Sequence, residues 1–196
     1  MAFAAGSVLS GIILFFYFGL TKTTSDASGK LALTTSSEVV MENLYHDLRS
    51  ATAIEVLRPY ELSLSCVDAK ANLQDTLNGD SSVFTNITYL REELGTEFVI
   101  RRTIGKMDSK VLMRADTIAE NIFTGYVYLL PEKAEDPVPR YKKFDVISQP
   151  SSQKPGITLV GVHLKAVLQK QAIEVMTKVH LPMIYNNFIQ SNWNEE

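Results

Sequence analysis

The chain has 196 residues, with 19 Lys and Arg against 22 Asp and Glu, a net charge of −3 and 45% apolar residues. That length suits one anchor plus one globular domain, and the charge balance offers no broad cationic field, so no nucleic-acid partner is expected. The single cysteine, Cys66, excludes an internal disulfide, and in the alternating stretch "ELSLSCVD" it reads as a small apolar filler.

Residues 3–20 contain no charge. As a helix rising 1.5 Å per residue the run spans roughly 27 Å, close to the hydrocarbon thickness of a bilayer. A secretory signal peptide would carry a basic segment before the core and a small-x-small cleavage site after it. Here the first cation is Lys22, and "TKTTSDASGK" offers no convincing site. Residues 1–21 are therefore predicted to be a retained transmembrane helix, with Phe3, Ala5, Gly6, Ser7, Ser10, Gly11 and Leu14 as its membrane and assembly surface. Gly6, Ser7, Ser10 and Gly11 are small enough for close helix approach in lipid, although small residues are also simply common in membrane helices.

Residues 22–53 continue as an amphipathic stalk. Gly29 is its weak point for helix. Val40, Leu44, Leu48 and Ala51 recur at spacings of four, four and three, which places them on one face. Glu38, Glu42, Asp47 and Arg49 fall mostly outside that stripe. Val40, Leu44 and Leu48 are expected to pack the helix on a sheet, and helix is predicted to run from about Phe3 to Ala53.

Residues 54–196 read as a β-rich globular domain. "AIEVL" and "ELSLSCV" flank Pro59-Tyr60 as a hairpin or a corner. "SVFTNITYL" and "EFVIRRTI" are β-branched and aromatic, with "REELGT" between them as turn material. "SKVLMRADTIAENI" suggests a strand end followed by a short helix, and "FTGYVYLLP", "KFDVIS" and "GITLVGVHL" are further strands. The stretch 164–184 fits two patterns. Leu164, Leu168, Ala172, Val175 and Val179 make a helical stripe, while Ile173, Val175, Val179, Leu181 and Met183 alternate with polar residues as in a strand. The turn lacks Gly or Asn, so pattern leaves the choice open.

No catalytic or metal signature stands out, and no cofactor is expected. The three histidines, His46, His163 and His180, lack metal-ligand spacing. In a hairpin centred near Gln169-Lys170, His163 would face Met176 and His180 would face Leu159, so the two would not share a metal. His180 then falls on a polar, solvated face with Glu174 and Lys178. There is no Gly-rich phosphate loop and no G-x-S-x-G elbow. Arg101 and Arg102 are adjacent on a strand and must face opposite ways. A structural ion pair is the favoured role for the inward one, ahead of an interface or ligand contact. "NIT" at Asn86 matches a glycan acceptor, which matters only in a eukaryotic secretory setting.

An apolar N-terminal helix runs into an amphipathic helix and then into a mostly antiparallel sheet. The order resembles the type IV pilin superfamily, and within it the larger minor pilins and J-type pseudopilins of type II secretion. The residues that carry the likeness are "LYHDLRSATAIEVL", "ITYL", "EFVIRRTIGK", "VLMRADTIAENIFTGYVYL" and the closing pair "GITLVGVHLKAV" and "AIEVMTKVHLPMI". The resemblance implies an α+β, pilin-like fold and favours the hairpin over 164–184. It also implies a non-enzymatic subunit that helps initiate or cap a filament. Its place would be the bacterial inner membrane, single-pass, with the globular domain periplasmic or extracellular. Its partners would be other minor pilins or pseudopilins, the major pilin, the inner-membrane assembly platform and membrane lipid. The family is made with a short basic leader and usually carries a glutamate four residues beyond the mature N-terminus. With Met1 as the mature residue, Ala5 stands where that acid is usual, which implies a place at or near the filament tip. With Met1 as the translation start, the family's leader processing is not implied. The alternative is a membrane-tethered extracytoplasmic binding or sensor domain that does not polymerise.

Overall fold

The computed structural model describes residues 2–67, 84–106, 108–129, 140–144, 157–182 and 184; the side chains of 2–16, 18–21, 23, 25, 128, 129, 140, 142 and 144 lie outside the description. Helix α1, Ala2–Ser50, is one unbroken element of 49 residues. Gly29, Leu33, Ser37, Val40, Leu44 and Leu48 are buried along it at spacings of three and four, so one stripe of the helix meets the rest of the domain. The Ser37 hydroxyl, though buried, donates to the Thr34 carbonyl at 2.7 Å. Gly29 does not interrupt the helix. The helix stops at Ser50, slightly earlier than Ala53, because Ala51 onward pairs as a strand and Thr52 donates its hydroxyl to the Ser65 carbonyl. Apart from Tyr17, the side chains of the run 3–20 expected to cross a membrane lie outside the description. Among the described residues no helix is long and apolar enough to cross a membrane.

The fold is α+β, with residues 26–50 of α1 packed against antiparallel sheets. The first sheet is a meander of five strands: β1 Ala51–Arg58, β2 Glu61–Val67, β3 Phe84–Leu94, β4 Glu97–Ile104 and β5 Asp108–Ala115. The second comprises β6 Thr117–Ile118, β7 Phe123–Leu129, β8 Arg140–Phe144, β9 Ile157–Leu168 and β10 Gln171–His180, in the order β10-β9-β7-β8 with β6 also paired to β9. The helix lies against β2 and β5 of the first sheet and β9 and β10 of the second. Apolar residues at alternate positions of both sheets, such as Leu62, Leu64, Ile100 and Met113 with Val160, Val162 and Leu164, close around its stripe in one core.

Pro59-Tyr60 is the tip of a hairpin, since Arg58 pairs with Glu61. The expected turn "REELGT" is shorter than its composition suggests: β3 runs to Leu94, and only Gly95-Thr96 turns, with Gly95 at φ 66°. The short helix expected within "VLMRADTIAENI" is not formed. Instead the backbone amides of Asp116 and Ala119 donate to Val167 and Lys165 of β9, and Thr117–Ile118 becomes β6. The stretch 164–184 forms a hairpin over 164–180, with His163 opposite Met176 and His180 opposite Leu159. Its turn residues Gln169 and Lys170 both take positive φ, 49° and 69°, without Gly or Asn. The Asp116 carboxylate accepts from the Gln169 amide at 2.7 Å, which compensates part of that strain.

The two sheets meet closely at Gly125. A Cβ there would stand 2.6 Å from Cδ2 of the buried Leu57, so any larger residue in β7 would have to displace that side chain. The carbonyl of Pro59, at the β1–β2 tip, accepts from the amides of Ile122 and Phe123 and fixes the start of β7.

Leu44 is 1% exposed at the centre of the helix stripe. Leu44→Ala is expected to cost about 2–5 kcal/mol. The check is a lower urea midpoint with an unchanged slope; a loss under about half a kcal/mol would show that this face is not part of the core.

Candidate functional site

Two constellations stand out among the described residues: one buried under the helix, the other on an open sheet face. The buried one centres on Asp47. Sequence reading placed it with Glu38, Glu42 and Arg49 off the apolar stripe, and those three are exposed, but Asp47 is 2% exposed. The helical geometry explains this correction: seven residues after Val40, Asp47 points within about 20° of the same direction. Arg102, on the helix-facing side of β4, grips it with two hydrogen bonds, Nε to Oδ2 at 2.7 Å and Nη2 to Oδ1 at 2.9 Å. The Tyr89 hydroxyl donates to Oδ2 as well and lies 3.1 Å from the Arg102 Nε.

The electrostatics follow from this packing. Burial holds the Tyr89 hydroxyl well above the ordinary tyrosine range, and its bond to Asp47 adds to that. The hydrogen bond to Asp47 raises the Arg102 guanidinium further, against some desolvation. Cys66, 3% exposed, sits beside the cluster with its Sγ donating weakly to the Asp47 carbonyl at 3.6 Å, and burial pushes its thiol up. A protonated, buried thiol is a packing group. Arg101, on the opposite face of β4, donates to Glu92 at 2.7 Å. The alternation thus sends one arginine inward to an ion pair and the other outward to its own.

The second constellation lies on the outer face of β7, β9 and β10. An open groove of about 520 Å³ is lined by Thr124 and Tyr126 of β7, Gly161 and His163 of β9, and Met176 and Lys178 of β10. Strand register builds it, since Thr124 and Lys178 both flank Gly161 while Met176 sits opposite His163. The Tyr126 ring leans over Gly161, where an added Cβ would approach Cε2 to 3.1 Å. The Lys178 ammonium stands 5.0 Å from the ring centroid. His163 Nε2 bonds Glu174 Oε1 at 2.8 Å, and this bond, with Lys165 nearby, holds the exposed Glu174 carboxyl below its usual range. Met176 is 71% exposed.

The Asp47 carboxylate is consumed by its three donors, and His163 is bonded to Glu174 with no hydroxyl nucleophile attached to it among the described residues. Among those residues there is also no group of three or more His, Cys, Asp or Glu placed to hold a metal. The groove instead offers aromatic, thioether and cationic surface, which suits recognition.

Of the residues singled out by sequence, Val40, Leu44 and Leu48 are 0%, 1% and 0% exposed in the helix–sheet interface. Phe3, Ala5, Gly6, Ser7, Ser10, Gly11 and Leu14 lie outside the described side chains. Sequence reasoning missed Asp47 and Tyr89. The available signals were the angular position of Asp47 on the stripe and the in-phase spacing of Ile87 and Tyr89 within "NITYL".

Arg102→Met removes the cation from a buried carboxylate and is expected to cost about 3–5 kcal/mol. Adding Asp47→Asn to that variant should recover part of the loss; two strictly additive losses would show that the groups are uncoupled. Alkaline pH probes the same cluster. Tyr89 has a folded pKa above its unfolded value near 10. Its contribution is therefore complete below about pH 10 and is lost as the pH rises further. Stability measured between about pH 9 and 11.5 should fall less steeply in Tyr89→Phe than in the parent.

Comparison with protein-family models, with curated protein sequences and with solved structures gives no match.

Proposed function

We propose that this chain is a minor pilin or J-type pseudopilin, a non-enzymatic subunit that helps initiate or cap a type IV pilus-like or type II secretion filament. The observation that carries this reading is the helix itself: one unbroken element, Ala2–Ser50, contains the uncharged run 3–20 at one end and a buried stripe clamped on antiparallel sheets at the other. A continuous helix transmits axial force and rotation from a bilayer segment to the domain without a joint, which an assembly subunit requires. The Asp47–Arg102 pair supports the reading from the domain side, because it resists withdrawal of the helix from the sheet.

In this role residues 3–20 serve as anchor before assembly and as packing surface within the filament. The globular domain faces the periplasm or the exterior. The partners are other minor subunits, the major pilin and the inner-membrane assembly platform. The groove bearing Tyr126, Lys178 and Met176 favours a second reading, a membrane-tethered binding domain that never polymerises.

Leu14→Lys is expected to abolish membrane retention, because a cation at mid-bilayer costs about 2.5–3.5 kcal/mol on insertion scales. Co-purification of the parent chain from membranes, followed by crosslinking along isolated filaments, separates the two readings. Recovery with pilin-like partners at one filament end is the expected result. Recovery without any such partner favours the tether, and even recovery along the shaft near the major subunit's stoichiometry overturns the tip position.

A further inference from the structure

The β9–β10 turn is held in a conformation that its residues do not favour. Gln169 and Lys170 take φ of 49° and 69°, a region that long side chains rarely occupy. Asp116 fixes the turn through the Gln169 amide. The Gln169 side chain rests on the helix at Gly29, where an added Cβ would lie 3.0 Å from its Oε1. The turn is thereby set at one height along α1, with Lys170 exposed at its tip.

The unbroken helix converts that height into a distance from the end of the uncharged run. Gly29 lies roughly 13 Å beyond Leu20 at the helical rise. A headgroup layer occupies about 5–7 Å of this, and the remaining gap is within the ~8 Å screening length of physiological salt. Lys22 falls inside the headgroup layer. Seven residues before Gly29, it is also on the helix face that carries the turn. Lys30 is exposed beside Gly29. Among the described residues no carboxylate lies within ion-pair distance of Lys22, Lys30 or Lys170. Of the acids at this end of the sheets, Asp26 is partly buried one turn before Gly29, Asp116 is engaged by the Gln169 amide, Glu97 lies 3.6 Å from Arg114, and Glu93 is exposed beside the β3–β4 turn.

We propose that Lys22, Lys30 and the β9–β10 turn form a docking surface for anionic lipid headgroups, which fixes the rotation of the domain about the helix axis at the bilayer. The proposal rests on the membrane anchorage in the function proposed above. A chain of net charge −3 would not approach an anionic surface by its overall charge, so the attraction is local to these lysines.

The test uses the full chain with a fluorophore on Thr117→Cys, which is exposed and paired with Val167 near the turn, while Cys66 is buried. The protein is reconstituted in vesicles of phosphatidylcholine alone or mixed with phosphatidylglycerol, each carrying a headgroup quencher. Quenching is expected to be about twofold or more greater in the anionic vesicles, and to fall to the neutral level at high salt. Lys30→Glu with Lys170→Gln should also abolish the difference, while Lys143→Glu on the distant β8 should leave it intact. Equal quenching in both lipids, with the chain still floating with the vesicles, overturns the docking and leaves the anchor standing. A chain that floats with neither overturns both.

Discussion

A carboxylate under a helix is costly unless all its neighbours are donors, and Asp47 meets that condition at one position only. Arg102 supplies the charge and the paired hydrogen bonds, and Tyr89 supplies a third donor. The buried stripe of Leu33, Ser37, Val40, Leu44 and Leu48 repeats every three or four residues, so burial alone would tolerate a slip of one helical turn. The ion pair does not. A slip would leave a buried carboxylate unpaired and an arginine against leucine, at a cost of several kcal/mol. The helix is thus fixed in translation and rotation by one residue, while the leucines provide most of the contact area.

The second sheet is tied to this frame through the chain between β5 and β7. Arg91, its guanidinium stacked 4.2 Å from the Phe98 ring, donates Nε to the Ile118 carbonyl. Ile122 and Phe123 bond Pro59 at the tip of the first hairpin, and Ile122 returns its carbonyl to His163 of β9. Residues 116–123 therefore hold both sheets. Glycines occur where two layers come close: Gly125 under Leu57, and Gly29 under the β9–β10 turn.

Much of this organisation was legible in the sequence. The stripe on α1 and the cores of the strands of the first sheet follow from period, because each buries one face, whereas Pro59-Tyr60 reads equally as a hairpin or a corner and β3 runs further than its composition suggests. The rule that adjacent strand residues face opposite ways anticipated that Arg101 and Arg102 would separate. What the pattern could not supply was partnership across long sequence distances. Asp47 looks like a surface acid until Arg102, 55 residues later, is placed opposite it. The 115–120 segment, "ADTIAE", looks helical because Ala and Glu favour helix, and only the free edge of β9 makes β6 the better outlet for its amides. The turn at Gln169-Lys170 carries none of the residues that announce its type, since its support comes from Asp116, between β5 and β6. For the outer groove, neither Tyr126 nor Gly161 is informative alone. Their meeting depends on the β7–β9 register.

The two sheets also differ in how they can be built during synthesis. The first is a meander in which every strand pairs with its neighbour in sequence, so its hairpins can close as soon as each is made. The second requires β9 to come between β7 and β10 and to take up β6, so it waits for the last third of the chain. Local pairing is fast and distant pairing slow. Helix α1, made first, thus meets one half of its covering well before the other. The Asp47 end is secured by β2, β3 and β4, whereas the Gly29 end lacks its covering hairpin until residue 180 has emerged. For that interval the lower stripe around Leu33 is exposed apolar surface, the part of the nascent chain most open to a chaperone or to misassociation.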